Sequence, residues 1–153
     1  MNDDKAKAII FGSIFTLSNK LQVLGDRFDS SLTVKQWLLL AGIHNSRENA
    51  PTISRVAEII GNSRQNIKKM VLILENKGFV ALENDSNDAR VQKIRLTKKC
   101  LDYLAKREKG ELEFLEQLFD GFQSVEINTL AKGMSKLEKN IVKMGRAYNN
   151  EGE

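Results

Sequence analysis

Hydrophobic residues repeat with helical spacing at both ends of the chain. Near the N-terminus they recur at alternating steps of four and three residues, which predicts a long first helix with one apolar stripe. The C-terminal third repeats this spacing twice, with a break between two helices near Gly121 and Ser124. The first stripe contains Ile10, Ile14, Leu17, Leu21, Leu24 and Phe28, and the last contains Ile127, Leu130, Met134, Leu137, Ile141, Met144 and Tyr148.

Three long apolar stripes are more than a small binding module requires. We therefore expect the helices at about 5–29 and 98–148 to form a dimerisation region in which two copies pair across a two-fold axis. An intramolecular bundle is the alternative. The residues expected to make the dimer contacts are Ile10, Ile14, Leu17, Leu130, Leu137 and Ile141.

A shorter helix is predicted to begin at Thr33. Thr33 and Gln36 have the spacing of a capping box, in which each side chain accepts a hydrogen bond from the other residue's backbone. The segment VKQWLLLAGIH that follows is dense in apolar residues, so Trp37 is expected in the core rather than in a ligand cage. His44 near its end is expected to be structural or solvent-facing.

The next segment, APTISRVAEIIGN, predicts a short helix capped by Thr52 or Ser54 and ended by Gly61. Ser63 is then the natural N-cap of another helix. Two helices joined by such a turn form a helix-turn-helix.

The second helix of this pair has a defined buried face and a polar outer face. Apolar residues at i, i+3, i+4 and i+7 fix the buried side, so Gln65 and Lys69 point outward. Glutamine and asparagine can pair with adenine edges, and lysine and arginine with guanine or phosphate. The residues expected to contact DNA from this helix are Ser63, Arg64, Gln65, Asn66, Lys68 and Lys69.

After Gly78 the pattern changes to alternation, and FVALEN and RVQKIRL predict two strands around the turn DSNDA. Lys93 faces outward on the second strand, and Arg90 at the turn is placed to enter a minor groove. The wing residues expected at the DNA interface are Asp88, Arg90 and Lys93. Asp88 is expected to orient the Arg90 guanidinium by a bidentate pair. An ordinary hairpin turn is the alternative interpretation.

The charge of the chain is concentrated in this region. The whole chain has a net charge of +4, whereas residues 62–99 carry nine basic and four acidic residues, a net +5. Such a local basic surface is expected where a protein meets phosphates, although a solvated face has the same composition.

Composition restricts the remaining possibilities. A chain of 153 residues, 41% of them hydrophobic, predicts one domain spanning 1–153. A single cysteine and a single histidine disfavour a metal site, and no catalytic motif or cofactor-binding loop occurs, so we expect neither an enzyme nor a cofactor. No uninterrupted apolar run has the length of a membrane span, which favours a cytoplasmic protein without a membrane partner.

The segments LTVKQWLLLAGI, ISRVAEIIGNSRQNIKKMVLILENKGFV and NDARVQKIRLT resemble the MarR family of winged helix-turn-helix regulators. The most specific match is the wing signature D-x-R followed by L-T, here Asp88, Arg90, Leu96 and Thr97. The resemblance implies a mainly α fold with a small β-wing, in which residues 32–97 bind DNA. It further implies a homodimer that represses at a palindromic operator and is released by a small-molecule ligand, or by cysteine oxidation in some branches.

The sequence departs from the family pattern at several positions. Ala89 stands where many members have a second wing arginine, and Cys100 where a glycine commonly follows L-T. Leu72 and Ile73 replace residues that are usually charged on the outer side of the second helix. These two residues support the alternative function, a winged-helix protein-interaction module that binds no operator. Redox sensing through Cys100 is a minor hypothesis, because a free cysteine is more often a buried small hydrophobe.

Overall fold

The computed structural model describes residues 2–150, and side chains from 2 to 147, so the Tyr148 side chain lies outside the described residues. The described chain is mainly helical with one small sheet, which confirms the predicted fold class. It forms two compact units that divide after Ala105, inside the fifth helix. The elements in chain order are α1 (Asp3–Phe28), α2 (Val34–His44), α3 (Ile53–Ile60), α4 (Arg64–Asn76), β1 (Val80–Asn84), β2 (Gln92–Leu96), α5 (Lys98–Leu118) and α6 (Ser124–Asn150).

Helices α2 and α3 begin at the predicted caps. Thr33 and Gln36 form the complete capping box at the start of α2. Of the two possible caps for α3, Thr52 is the one observed, since its side chain accepts the Arg55 backbone N–H. Thr97 accepts the backbone N–H of Cys100 at the start of α5.

The core of the first unit lies between α2, α3, α4 and the sheet. Trp37 packs against this core while partly buried, as expected of a core residue. The fully buried side chains include Leu39, Leu40, Val56, Ile67, Val71, Leu74, Ile94 and Cys100.

The two predicted strands form an antiparallel hairpin, with Leu82 opposite Ile94. A third segment attaches to it: Thr52 forms an isolated β-bridge with Lys93, and the Ile94 backbone N–H donates to Pro51 O over 2.9 Å. This attachment fixes β2 of the hairpin against the start of α3.

The second unit contains the end of α5 and all of α6. Gly121, at φ +79°, lies in the predicted break between these helices. Every side chain of α6 from 124 to 147 is exposed, and α1 in the first unit also has no buried residue. By length and composition alone, α1 is long and apolar enough to cross a membrane. The apolar stripe predicted for this helix accounts for part of the same apolar content.

Candidate nucleic-acid interface

The turn between α3 and α4 sets the direction of α4. Gly61 ends α3 in the left-handed conformation, with φ +67° and ψ +44°, where a side chain would add strain. The backbone N–H of Asn62 then donates to Ala57 O over 2.9 Å, which closes the turn. Ser63 caps α4 by accepting the Asn66 backbone N–H over 3.2 Å. These local contacts hold α4 as the second helix of a helix-turn-helix.

The outer face of α4 is the predicted one. Ile67, Val71 and Leu74 are fully buried against the core, so the helix cannot rotate about its axis without exposing them. The polar residues of the opposite face are exposed, and they are Arg64, Gln65, Asn66, Lys68 and Lys69.

A groove of about 670 Å³ lies between α4 and the wing. Arg64, Gln65 and Lys68 of α4 line one side and Arg90 the other. The sequence interpretation missed the other polar residues of this groove, because their proximity depends on the bridge between Thr52 and β2. They are Thr52, Ser54 and Gln92.

Two aspartates shape the tip of the wing. The Asp85 carboxylate accepts the backbone N–H groups of Asn87 and Asp88, at 2.8 and 3.2 Å, and pairs with Lys93 Nζ at 2.5 Å. The hydrogen bond from Lys93, followed by those from the backbone, holds the pKa of Asp85 below its ordinary value. The tip is therefore ordered by a charged group at neutral pH.

The expected bidentate pair between Asp88 and Arg90 is wrong. Asp88 Oδ1 accepts the Arg90 backbone N–H over 3.0 Å, and the guanidinium approaches that oxygen through Nε alone, at 3.5 Å. The guanidinium therefore meets Asp88 at one oxygen only, through one nitrogen. The Arg90 side chain remains 95% exposed at the edge of the groove.

The basic residues of this region differ in their partners. Arg95 is held by Glu83 through two hydrogen bonds, at 3.0 and 3.1 Å, which raise the pKa of Arg95 and lower that of Glu83. Lys77 and Lys99 donate to backbone carbonyl oxygens, at 2.6 Å each. By contrast, no side-chain hydrogen bond or ion pair among the described residues involves Arg64, Lys68 or Lys69. The cations available to a phosphate therefore lie mainly on α4.

Three further residues of interest have contrasting environments. Leu72 and Ile73 on α4 are 45% and 46% exposed, so they form no part of the core. Cys100 is completely buried, and desolvation raises the pKa of its thiol to about 11. Because the reactive form of cysteine is the thiolate, this environment opposes oxidation.

No family model matches the sequence. Solved structures share its fold, among them a MarR/EmrR family transcriptional regulator from Acinetobacter, with 19% identity over 94% of this chain and 99% of that one and a TM-score of 0.77. A MarR family regulator from Streptomyces coelicolor in complex with DNA has 19% identity over 92% and 93% of the two chains, with a TM-score of 0.77. BpsR of Bordetella bronchiseptica, whose DNA binding is regulated by 6-hydroxynicotinic acid, has 15% identity over 82% and 98%, with a TM-score of 0.67.

The similarity extends over nearly the whole chain, including the long terminal helices, and not only over the helix-turn-helix. The structures from Acinetobacter and Streptomyces are described as transcriptional regulators, and BpsR as a protein whose DNA binding is regulated. The chain is therefore a winged helix protein with the fold of MarR family transcriptional regulators.

Proposed function

We propose that this protein is a sequence-specific DNA-binding regulator of transcription. The observation that carries the proposal is the surface formed by the outer face of α4 and the wing. It combines exposed amides, Gln65 and Asn66, with the cations of Arg64, Lys68 and Lys69 and with Arg90 across the groove. Amides can read base edges while cations neutralise phosphates, so both requirements of sequence-specific binding are met on one surface.

The roles of the individual residues follow from their positions. Gln65 and Asn66 would read bases in the major groove, with Ser63 capping the helix that carries them. Arg64, Lys68 and Lys69 would contact phosphates or guanine. Arg90 would enter the adjacent minor groove from a tip shaped by Asp85 and Asp88, while Lys93, which is paired with Asp85, would contribute to a lesser degree.

The protein would act as a homodimer. Five of the six residues predicted to form the dimer contacts are exposed in the single chain, and the sixth, Ile14, is half-buried. Exposed apolar stripes of this length mark an interaction surface. Two copies related by a two-fold axis would present two α4 helices to a palindromic operator. Sedimentation showing only monomer at micromolar concentration would contradict this assembly.

Regulation would consist of repression that a small-molecule ligand relieves. The likeness in fold to BpsR, whose DNA binding is regulated by 6-hydroxynicotinic acid, supports an effector of this kind without identifying it.

A cytoplasmic location follows from the proposed role, because the operator DNA is in the cytoplasm. Cell fractionation that recovered the protein in membranes would contradict the assignment and would favour α1 as a span.

The decisive experiment is selection of random duplex DNA on the purified protein, followed by affinity measurements on the recovered sequence at two salt concentrations. An enriched palindrome whose affinity falls steeply with salt is the expected result. Failure to enrich any sequence, with weak binding at both salt concentrations, would contradict the proposal.

A second candidate function, a protein-interaction module, rests on the exposed Leu72 and Ile73. They lie on α4 itself, in the turn that follows Lys68 and Lys69. If this surface binds a protein, Leu72→Ser with Ile73→Ser should abolish that interaction, and duplex DNA should not compete for it. If the surface only flanks DNA, the same double variant should retain its operator.

A further inference from the structure

Among the described contacts, Asn66 is the only outward residue of α4 whose side-chain amide forms a hydrogen bond with another side chain. Its Nδ2 donates to Oδ1 of Asn62 over 3.1 Å. Gln65, one residue earlier, has no such contact in the described part of the chain and keeps its side-chain freedom. The two amides that would read bases are therefore held differently.

Asn62 is itself fixed by the turn in which it lies. It follows the left-handed Gly61, its backbone N–H donates to Ala57 O over 2.9 Å, and its side chain is half-buried. Its Oδ1 also accepts the backbone N–H of Ser63 over 2.8 Å. A backbone N–H can only donate, so the atom facing it must be the oxygen of the Asn62 amide rather than the nitrogen.

This assignment determines the orientation of the Asn66 side-chain amide, because it decides whether the nitrogen or the oxygen faces Asn62. Because Asn62 presents an acceptor, Asn66 must use one N–H of its Nδ2 to reach it. The Asn66 oxygen and the second N–H then remain for a ligand. An acceptor beside a donor is the pattern that matches N6 and N7 of adenine in the major groove.

We propose that Asn62 is a positioning residue that holds Asn66 in the orientation for reading adenine. The inference rests on the proposed DNA-binding function and goes beyond it by assigning a base preference to one side chain. Asn62 acts through Asn66 and needs no contact of its own with the DNA. Its position is set by the C-terminal turn of α3, so the end of one helix orients a base-reading side chain of the next.

The test compares Asn62→Ala, Asn62→Asp and Asn66→Ala with the wild type by selection on random duplex DNA. The recovered wild-type site should contain one adenine in each half-site whose preference Asn66→Ala abolishes, a preference on the order of tenfold or more for a bidentate contact. Asn62→Ala should lose most of the same preference and leave the other positions of the site unchanged. Asn62→Asp keeps an acceptor at Oδ1, so it should retain the preference while binding all DNA more weakly through its added negative charge.

Thermal unfolding of each variant and its affinity for an unrelated duplex separate positioning from a structural role. A purely structural role for Asn62 would lower the melting temperature and weaken binding to all sequences alike, which would overturn the inference. Full adenine preference in Asn62→Ala would overturn it as well. A wild type that enriches no sequence at all would instead overturn the proposed function, so the two failures are distinguishable.

Discussion

The salt dependence of operator affinity follows from the partners of each cation. In one subunit, Arg64, Lys68 and Lys69 have no carboxylate partner among the described residues, and Arg90 is 95% exposed with only a 3.5 Å approach to Asp88. Each of these four cations can replace a counterion on the DNA, which gives eight in a dimer. Since each neutralised phosphate contributes about −0.9, a plot of log affinity against log salt concentration should have a slope of about −7.

The assay is fluorescence anisotropy of a labelled operator at several salt concentrations between about 50 and 200 mM. Lys69→Gln removes one unpaired cation per subunit and should make the slope shallower by about 2 in a dimer. The matched control is the double variant Glu83→Gln with Arg95→Gln, which removes a cation together with its bidentate partner. This control should leave the slope unchanged.

Two results would refute this reasoning. An equal loss of slope in Lys69→Gln and in the control would show that cations paired in the free protein also reach phosphates. A wild-type slope shallower than about −2 would mean that the outer face of α4 does not neutralise the backbone.

Four other predictions concern stability and reactivity. Leu40→Ala, at a completely buried position, should lower the free energy of unfolding by about 2–5 kcal/mol in chemical denaturation. Gly25→Ala should destabilise the protein because the new Cβ would lie 2.2 Å from a side-chain carbon of α2, whereas Gly12→Ala, with open space around it, should be neutral or stabilising. The folded protein lowers the pKa of Asp85, so the carboxylate should protect the wing-tip backbone amides fully at any pH above the ordinary aspartate pKa. This protection, measured by NMR, should be lost only as the pH falls through the lowered pKa of Asp85. Cys100 should resist alkylation in the folded protein at pH 8, and rapid labelling detected by mass spectrometry would contradict its burial.

The features that the sequence predicts well are those determined by neighbouring residues. The capping box of Thr33 and Gln36 and the cap at Ser63 depend on contacts three residues apart, and all are observed. The burial of Ile67 and the exposure of Lys69 follow from helical periodicity in the same way. Helical periodicity and contacts within one helical turn are therefore enough to predict these features.

The features that the sequence interpretation missed depend on contacts between distant segments or on competition for one atom. The groove gains Thr52 and Gln92 because Thr52 bridges to Lys93 of β2, 41 positions later in the chain. Asp88 was expected to hold the Arg90 guanidinium by a bidentate pair, but its Oδ1 instead accepts the backbone N–H of Arg90. A count of charged residues in the sequence treats Arg95 and Lys69 as equal, although only Arg95 is paired with a carboxylate.

The terminal helices connect the fold to the proposed assembly. A helix of 27 residues such as α6 gains most of its stability from burying an apolar face, yet all its described side chains are exposed in the single chain. The heptad spacing of Leu130, Leu137 and Ile141 places these side chains on one face, so a second helix can cover them together. A second copy would supply that cover at both ends of the chain by a single symmetry operation. It would also double the number of base-reading helices. A single dimer interface would therefore both stabilise the terminal helices and allow the protein to recognise a palindrome.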